Sequence, residues 1–123
     1  MKTKSNMTVK ENREIKIPIL NDEYKVIVCW GNNQEINKVL KKYGQPERDA
    51  MEFMSCRGKA FFHSHCYPVI ALTEKPSLKN VDSLAHEAVH AVEYIFTYIG
   101  EQSRDELFAH SIGAIVRITL KSL

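Results

Sequence analysis

Ser83-Leu84-Ala85-His86-Glu87-Ala88-Val89-His90-Ala91-Val92-Glu93-Tyr94-Ile95-Phe96-Thr97-Tyr98 is the stretch that decides how this chain reads. Leu84, Ala85, Ala88, Val89, Val92, Ile95 and Phe96 surround the centre of this stretch with apolar groups, as a largely apolar helix would. Asp82 or Ser83 offers an N-cap, and Gly100 a stop. Inside the helix lies H-E-x-x-H, His86 to His90. Residues four apart stand one above the other on a helix, so two imidazoles can grip one ion. The intervening Glu87 can then reach a water activated by that ion. The pattern predicts zinc-dependent hydrolysis, with His86 and His90 as metal ligands and Glu87 as general base. Apolar neighbours on all sides predict that the three polar side chains are embedded, where leaving them unpaired is costly.

Catalytic zinc takes three protein ligands and keeps one position open, so a third donor is needed. Glu106 is the first candidate. The apolar positions Leu107, Phe108, Ile112, Ile115, Val116 and Leu120 predict a second helix from Ser103 toward Ser122. A turn at Gly100 would fold it back so that its start approaches His90. Glu106 has a competing local role, since Ser103-Arg104-Asp105-Glu106 fits the S-x-x-E capping box. Glu93 shares the face of His86 and His90 and is a rival, either as a ligand or as an acceptor that orients a ligand imidazole. Cys66 is a second rival. His63 and His65 would share one face if Lys59 to Ser64 is a strand, and a polar strand face with ordinary histidines and a buried Cys66 is the preferred reading of them. For the transition state, His110 is the candidate oxyanion donor, ahead of Tyr94, Tyr98 and Arg117.

Working outward, Tyr24 to Trp30 reads as a strand and Gly31-Asn32-Asn33 as a turn. Gln34 to Tyr43 reads as a helix stopped by Gly44 and Pro46. Ile15 to Ile19 is an apolar run broken by Pro18. Residues 47–57 are ambiguous, with Ala50, Met51, Phe53 and Met54 fitting a helical turn or a loop. Tyr67 to Thr73 reads as a strand, placed at a sheet edge because Pro68 cannot donate to a ladder. From that edge it could take an extended peptide by strand addition. Glu74 to Asn80 reads as a loop. Strands and a helix first, then two helices, predict an α+β fold with a small mixed or antiparallel sheet.

Composition sets the outer bounds. The 123 residues suit one domain, with 1–13 as a polar, Lys-rich flexible tail and 14–123 as the folded unit. A net charge of +2 gives no argument for nucleic acid or an anionic membrane as partner. No apolar stretch suits a secretory signal or a bilayer span. Three cysteines, an odd number without C-x-x-C, suggest no disulfide framework. A soluble, cytoplasmic protein is expected; its oligomeric state is left open.

The run Leu84 to Val92, with an apolar strand before it and Asp105-Glu106-Leu107-Phe108-Ala109-His110 after it, resembles zincin metallopeptidases. Among these it looks like the gluzincin type, and it is most similar to minimal zincin-like proteins of phages and prophages. The resemblance spans about residues 58–118. It implies a zincin-like sheet packed on an active-site helix and a ligand helix, zinc held by His86, His90 and Glu106, Glu87 as the catalytic residue, and a peptide or protein substrate. The chain departs from larger gluzincins in the short interval between His90 and Glu106 and in having no second lobe to build a cleft. Two functions therefore stand side by side: a zinc peptidase, and a non-catalytic binding or regulatory module that keeps the fold and metal site.

Overall fold

The computed structural model describes residues 13–20, 22–47, 57–63, 65–100 and 106–123. Four strands and three helices are seen among them: β1 (Glu14–Ile19), β2 (Tyr24–Trp30), α1 (Asn33–Lys42), β3 (Gly58–Phe61), β4 (Val69–Leu72), α2 (Val81–Ile99) and α3 (Glu106–Lys121). The strands form one mixed sheet in the order β1-β2-β4-β3. β2 pairs antiparallel with β1 and parallel with β4, and β3 closes the other side antiparallel to β4. The fold is α+β. Residues 1–12 of the expected tail, the ambiguous segment around Ala50 to Met54 and the Ser103 cap lie outside the described residues, whereas Arg13 is placed against β2, its carbonyl accepting from the Trp30 N–H at 3.2 Å.

The sheet is covered on both faces, and the strand patterns follow from that. Val26 to Trp30 and Val69 to Leu72 are buried without alternation, as central strands between two layers require. Val26, Val28, Trp30, Ile70 and Leu72 face α2 and α3, whereas Ile27, Cys29, Val69 and Ala71 face Ile36, Val39 and Leu40 of α1. Edge strand β1 alternates instead, with Ile17 and Ile19 buried and Lys16 and Pro18 exposed. Pro18 is tolerated there because an edge strand has positions that need no donor.

Two strand expectations are corrected. Tyr67 to Thr73 does not form an edge. β4 is interior, with β2 on one side and β3 on the other, so no peptide can be added to it. Pro68 precedes the strand and contributes only its carbonyl, which accepts from the Ile27 N–H at 3.0 Å. The strand expected over Lys59 to Ser64 begins at Gly58 and ends at Phe61. His63 and His65 therefore do not share a strand face, and His65 has a left-handed φ of 64°.

The helices are closer to expectation. Asn32 caps α1 in a full capping box with Glu35, and Gly44 follows it at φ 81°. Gly100 ends α2 in the left-handed conformation at φ 76°. The N-cap of α2 is Asn80, not Asp82 or Ser83. Its side chain accepts from Ser77 N at 2.8 Å and donates to the Glu74 and Lys75 carbonyls at 3.3 Å. It thereby ties the connecting loop to the helix start rather than capping the first turn.

Candidate metal centre

Helix α2 buries Leu84, Ala88, Ala91, Val92, Ile95 and Phe96 against the sheet and α3. The same periodicity turns His86 and His90 outward, where both are exposed, with Glu87 half-buried beside them. This corrects the expectation of an embedded motif: Val89 is also 37% exposed, so the histidines form a solvent-facing stripe. Their Nε2 atoms lie 3.3 Å apart, with the ring centroids at 4.9 Å and the planes at 79°. Two imidazole nitrogens on a tetrahedral zinc, each at about 2.0–2.1 Å, are separated by about 3.3–3.4 Å. The pair thus fits a shared ion. As a hydrogen bond, 3.3 Å is at the long end.

Strand β3 runs alongside this stripe. A Cβ on Gly58 would stand 2.7 Å from Leu72 Cδ2 and 3.5 Å from Glu87 Cγ, so the missing side chain lets the strand approach Glu87 closely. At the other end of β3, Phe62 stacks on Tyr94 with centroids 4.6 Å apart and planes at 11°. The Tyr94 hydroxyl points to the His63 carbonyl at 3.4 Å, a long contact for a hydroxyl donor. His90, Glu93, Tyr94 and Thr97 line a shallow recess of about 340 Å³ against Phe62. Gly58 and Phe62 were not singled out from the sequence. Only the glycine carried a signal, since glycine within a strand marks a close approach.

His86, Glu87 and His90 share one stripe of α2, and Glu93 and Tyr94 line a recess with His90. Among the described residues no group of three or more His, Cys, Asp and Glu side chains is placed to hold a metal ion. Helix α3 folds back along α2, and Phe108 meets Phe96 edge to face at 5.5 Å. Glu106, two residues earlier, falls opposite about Tyr98, which is roughly 12 Å along α2 from His90 at a rise of 1.5 Å per residue. It is exposed there. His110 lines a different concavity of about 760 Å³, between the β1–β2 hairpin and α3, together with Leu20, Asp22 and Arg117. Ile99 is the residue α2 contributes to that groove. Cys66 donates its thiol to the Gly44 carbonyl at 3.5 Å and closes a turn with His63 through its N–H. Cys29 is fully buried under α1; burial, with a smaller contribution from the Glu14 charge, pushes its thiol up to about 12.

No helix of the described residues is long and apolar enough to cross a membrane. Compared with protein-family models, curated proteins and solved structures, the chain finds no match in any of the three.

Proposed function

We propose that the exposed stripe of α2 is a zinc site of zincin type and that the protein hydrolyses a peptide bond. The observation that carries this reading is the 3.3 Å separation of the His86 and His90 Nε2 atoms, which suits two ligands of one tetrahedral ion. When bound, zinc supplies a Lewis acid that acidifies water and polarises a scissile carbonyl. Glu87 is the general base: it takes a proton from the attacking water and returns it to the departing amine. Its position next to Gly58 gives β3 a part as well. Among the described residues β3 ends the sheet, so its outer edge offers backbone donors and acceptors to an extended substrate passing Glu87.

The third donor is a carboxylate. Glu106 is the residue the zincin resemblance implies, and it must move along α2 by about two helical turns, or roughly 12 Å, to reach His90. Glu93 already shares a recess with His90. Zinc titration separates them: the variant of the true ligand, Glu106→Ala or Glu93→Ala, loses at least about tenfold in affinity, as removal of even an outer partner does.

Exposure of both histidines favours a second reading, a metal-binding module without catalysis, because hydrolysis benefits from a site that excludes water. Glu87→Gln decides between the two. Peptide cleavage that disappears in the variant while zinc stays bound supports the hydrolase. A wild-type protein that binds zinc stoichiometrically and cleaves no peptide supports the module, and a protein that binds no zinc overturns both.

A further inference from the structure

A second cavity, of about 260 Å³, opens beside the metal stripe and shares Tyr94 with the recess at His90. Four tyrosines line it: Tyr24 from β2, Tyr67 from the turn before β4, and Tyr94 and Tyr98 from α2. Tyr94 and Tyr98 lie nearly parallel, with planes at 18° and centroids 6.5 Å apart. Tyr67 and Tyr98 remain 39% and 56% exposed, so ring surface is open to a ligand. Two charged side chains join them, Glu23 and Lys25. The Lys25 ammonium is compensated by Asp22 at 2.6 Å. Glu23 has no ion-pair partner among the described residues and is the uncompensated charge of the lining.

We infer that this cavity binds a cationic side chain, lysine or arginine, of a peptide substrate. Aromatic faces carry negative potential and attract ammonium and guanidinium groups, and Glu23 adds a formal charge of the same sign. The protein already makes this interaction once on the same ring: the Lys16 ammonium lies 5.8 Å from the Tyr67 centroid. The long apolar stem of a basic residue also suits walls formed by Ile95 and Pro68.

The position fits the proposed reaction. β3 runs from Glu87, beside Gly58, to Tyr94, beside Phe62. A peptide added to that edge is therefore led from the motif toward the cavity. Tyr94 is one turn beyond His90 and Tyr98 two turns, or about 6 and 12 Å. At roughly 3.3 Å per extended residue, the basic side chain falls about two to four residues from the scissile bond. The cation preference stands on the cavity lining, whereas its role as a substrate subsite rests on the peptidase reading.

The test uses the metal-free, full-length protein with tyrosine rings labelled for NMR. It is titrated at pH 8. N-acetyl-arginine amide is compared with its neutral isostere, N-acetyl-citrulline amide. The expected result is shifts in all four tyrosine rings with arginine, binding about tenfold weaker with citrulline, and a similar loss for arginine in Glu23→Gln. Equal binding of the two probes, or no binding, overturns the inference. With zinc-loaded protein, a peptide library should be cleaved with at least about a tenfold preference for lysine or arginine within four residues of the scissile bond. Cleavage without that preference overturns the subsite. Arginine binding in a protein that cleaves no peptide upholds the cation site and sinks the peptidase reading.

Discussion

Cys29 and Tyr43 share one electrostatic neighbour, Glu14, and it acts on them in the same direction. The Glu14 carboxylate accepts from the Tyr43 hydroxyl at 2.6 Å and from Lys42 at 3.0 Å. Burial, and then this carboxylate, raise the Tyr43 hydroxyl above its ordinary value, and burial raises the Cys29 thiol to about 12. Both groups are acids that keep their protons longer when folded than when unfolded. Above pH 9, the ordinary value of the thiol, the folded state binds more protons, so stability is fully present below that pH and falls between about 9 and 12. Urea melts at pH 8, 9.5 and 10.5 should show this decline, and Cys29→Ala should make it shallower. An unchanged slope in that variant would mean the thiol does not titrate with unfolding. His86 and His90 face solvent. His86→Ala should shift metal-free stability by no more than about 0.5 kcal/mol. It should also abolish any rise in melting temperature on adding zinc.

At the scale of the element, the motif helix depends on a neighbour that its own sequence does not announce. Gly58 lets β3 lie against Glu87, and a methyl there would meet Leu72 Cδ2 at 2.7 Å and the Ala71 carbonyl at 3.3 Å. Gly58→Ala should cost about 1–3 kcal/mol by overpacking and displace β3 from Glu87. Denaturant unfolding reads the first effect. The second is read by a loss of cleavage larger than the loss of zinc binding. Helix α2 was legible because a largely apolar run surrounds His86 to His90 and stops at Gly100, and α1 because Ile36, Val39, Leu40 and Tyr43 repeat at helical spacing. β4 was legible as a strand but not in its place. Pro68 argued for an edge, yet the proline stands one residue before Val69 and its carbonyl, not its missing N–H, meets β2. The same limit applies to His63 and His65, whose alternation meant nothing once the strand stopped at Phe61.

For the whole molecule, the docking of α3 on α2 determines which side chains can meet at the motif. Phe96 is fully buried and touches Phe108 edge to face, which sets the level of every α3 residue against α2. Phe96→Ala should cost about 3–5 kcal/mol. A measured loss below about 1 kcal/mol would mean the pair does not hold the two helices in register. From the sequence alone came the helical frame of His86, Glu87 and His90, because i and i+4 adjacency is a local property of any helix. The sequence likewise determined that Tyr24 to Trp30 is a strand and that Gly44 and Gly100 stop their helices. Tertiary structure alone decided that the stripe faces solvent, that Gly58 of β3 borders it, and that Phe108 of α3 sits against Phe96 of α2. Those outcomes depend on strand order and on the register between two packed helices, which are set by contacts between residues distant in the chain and leave no periodic mark within it.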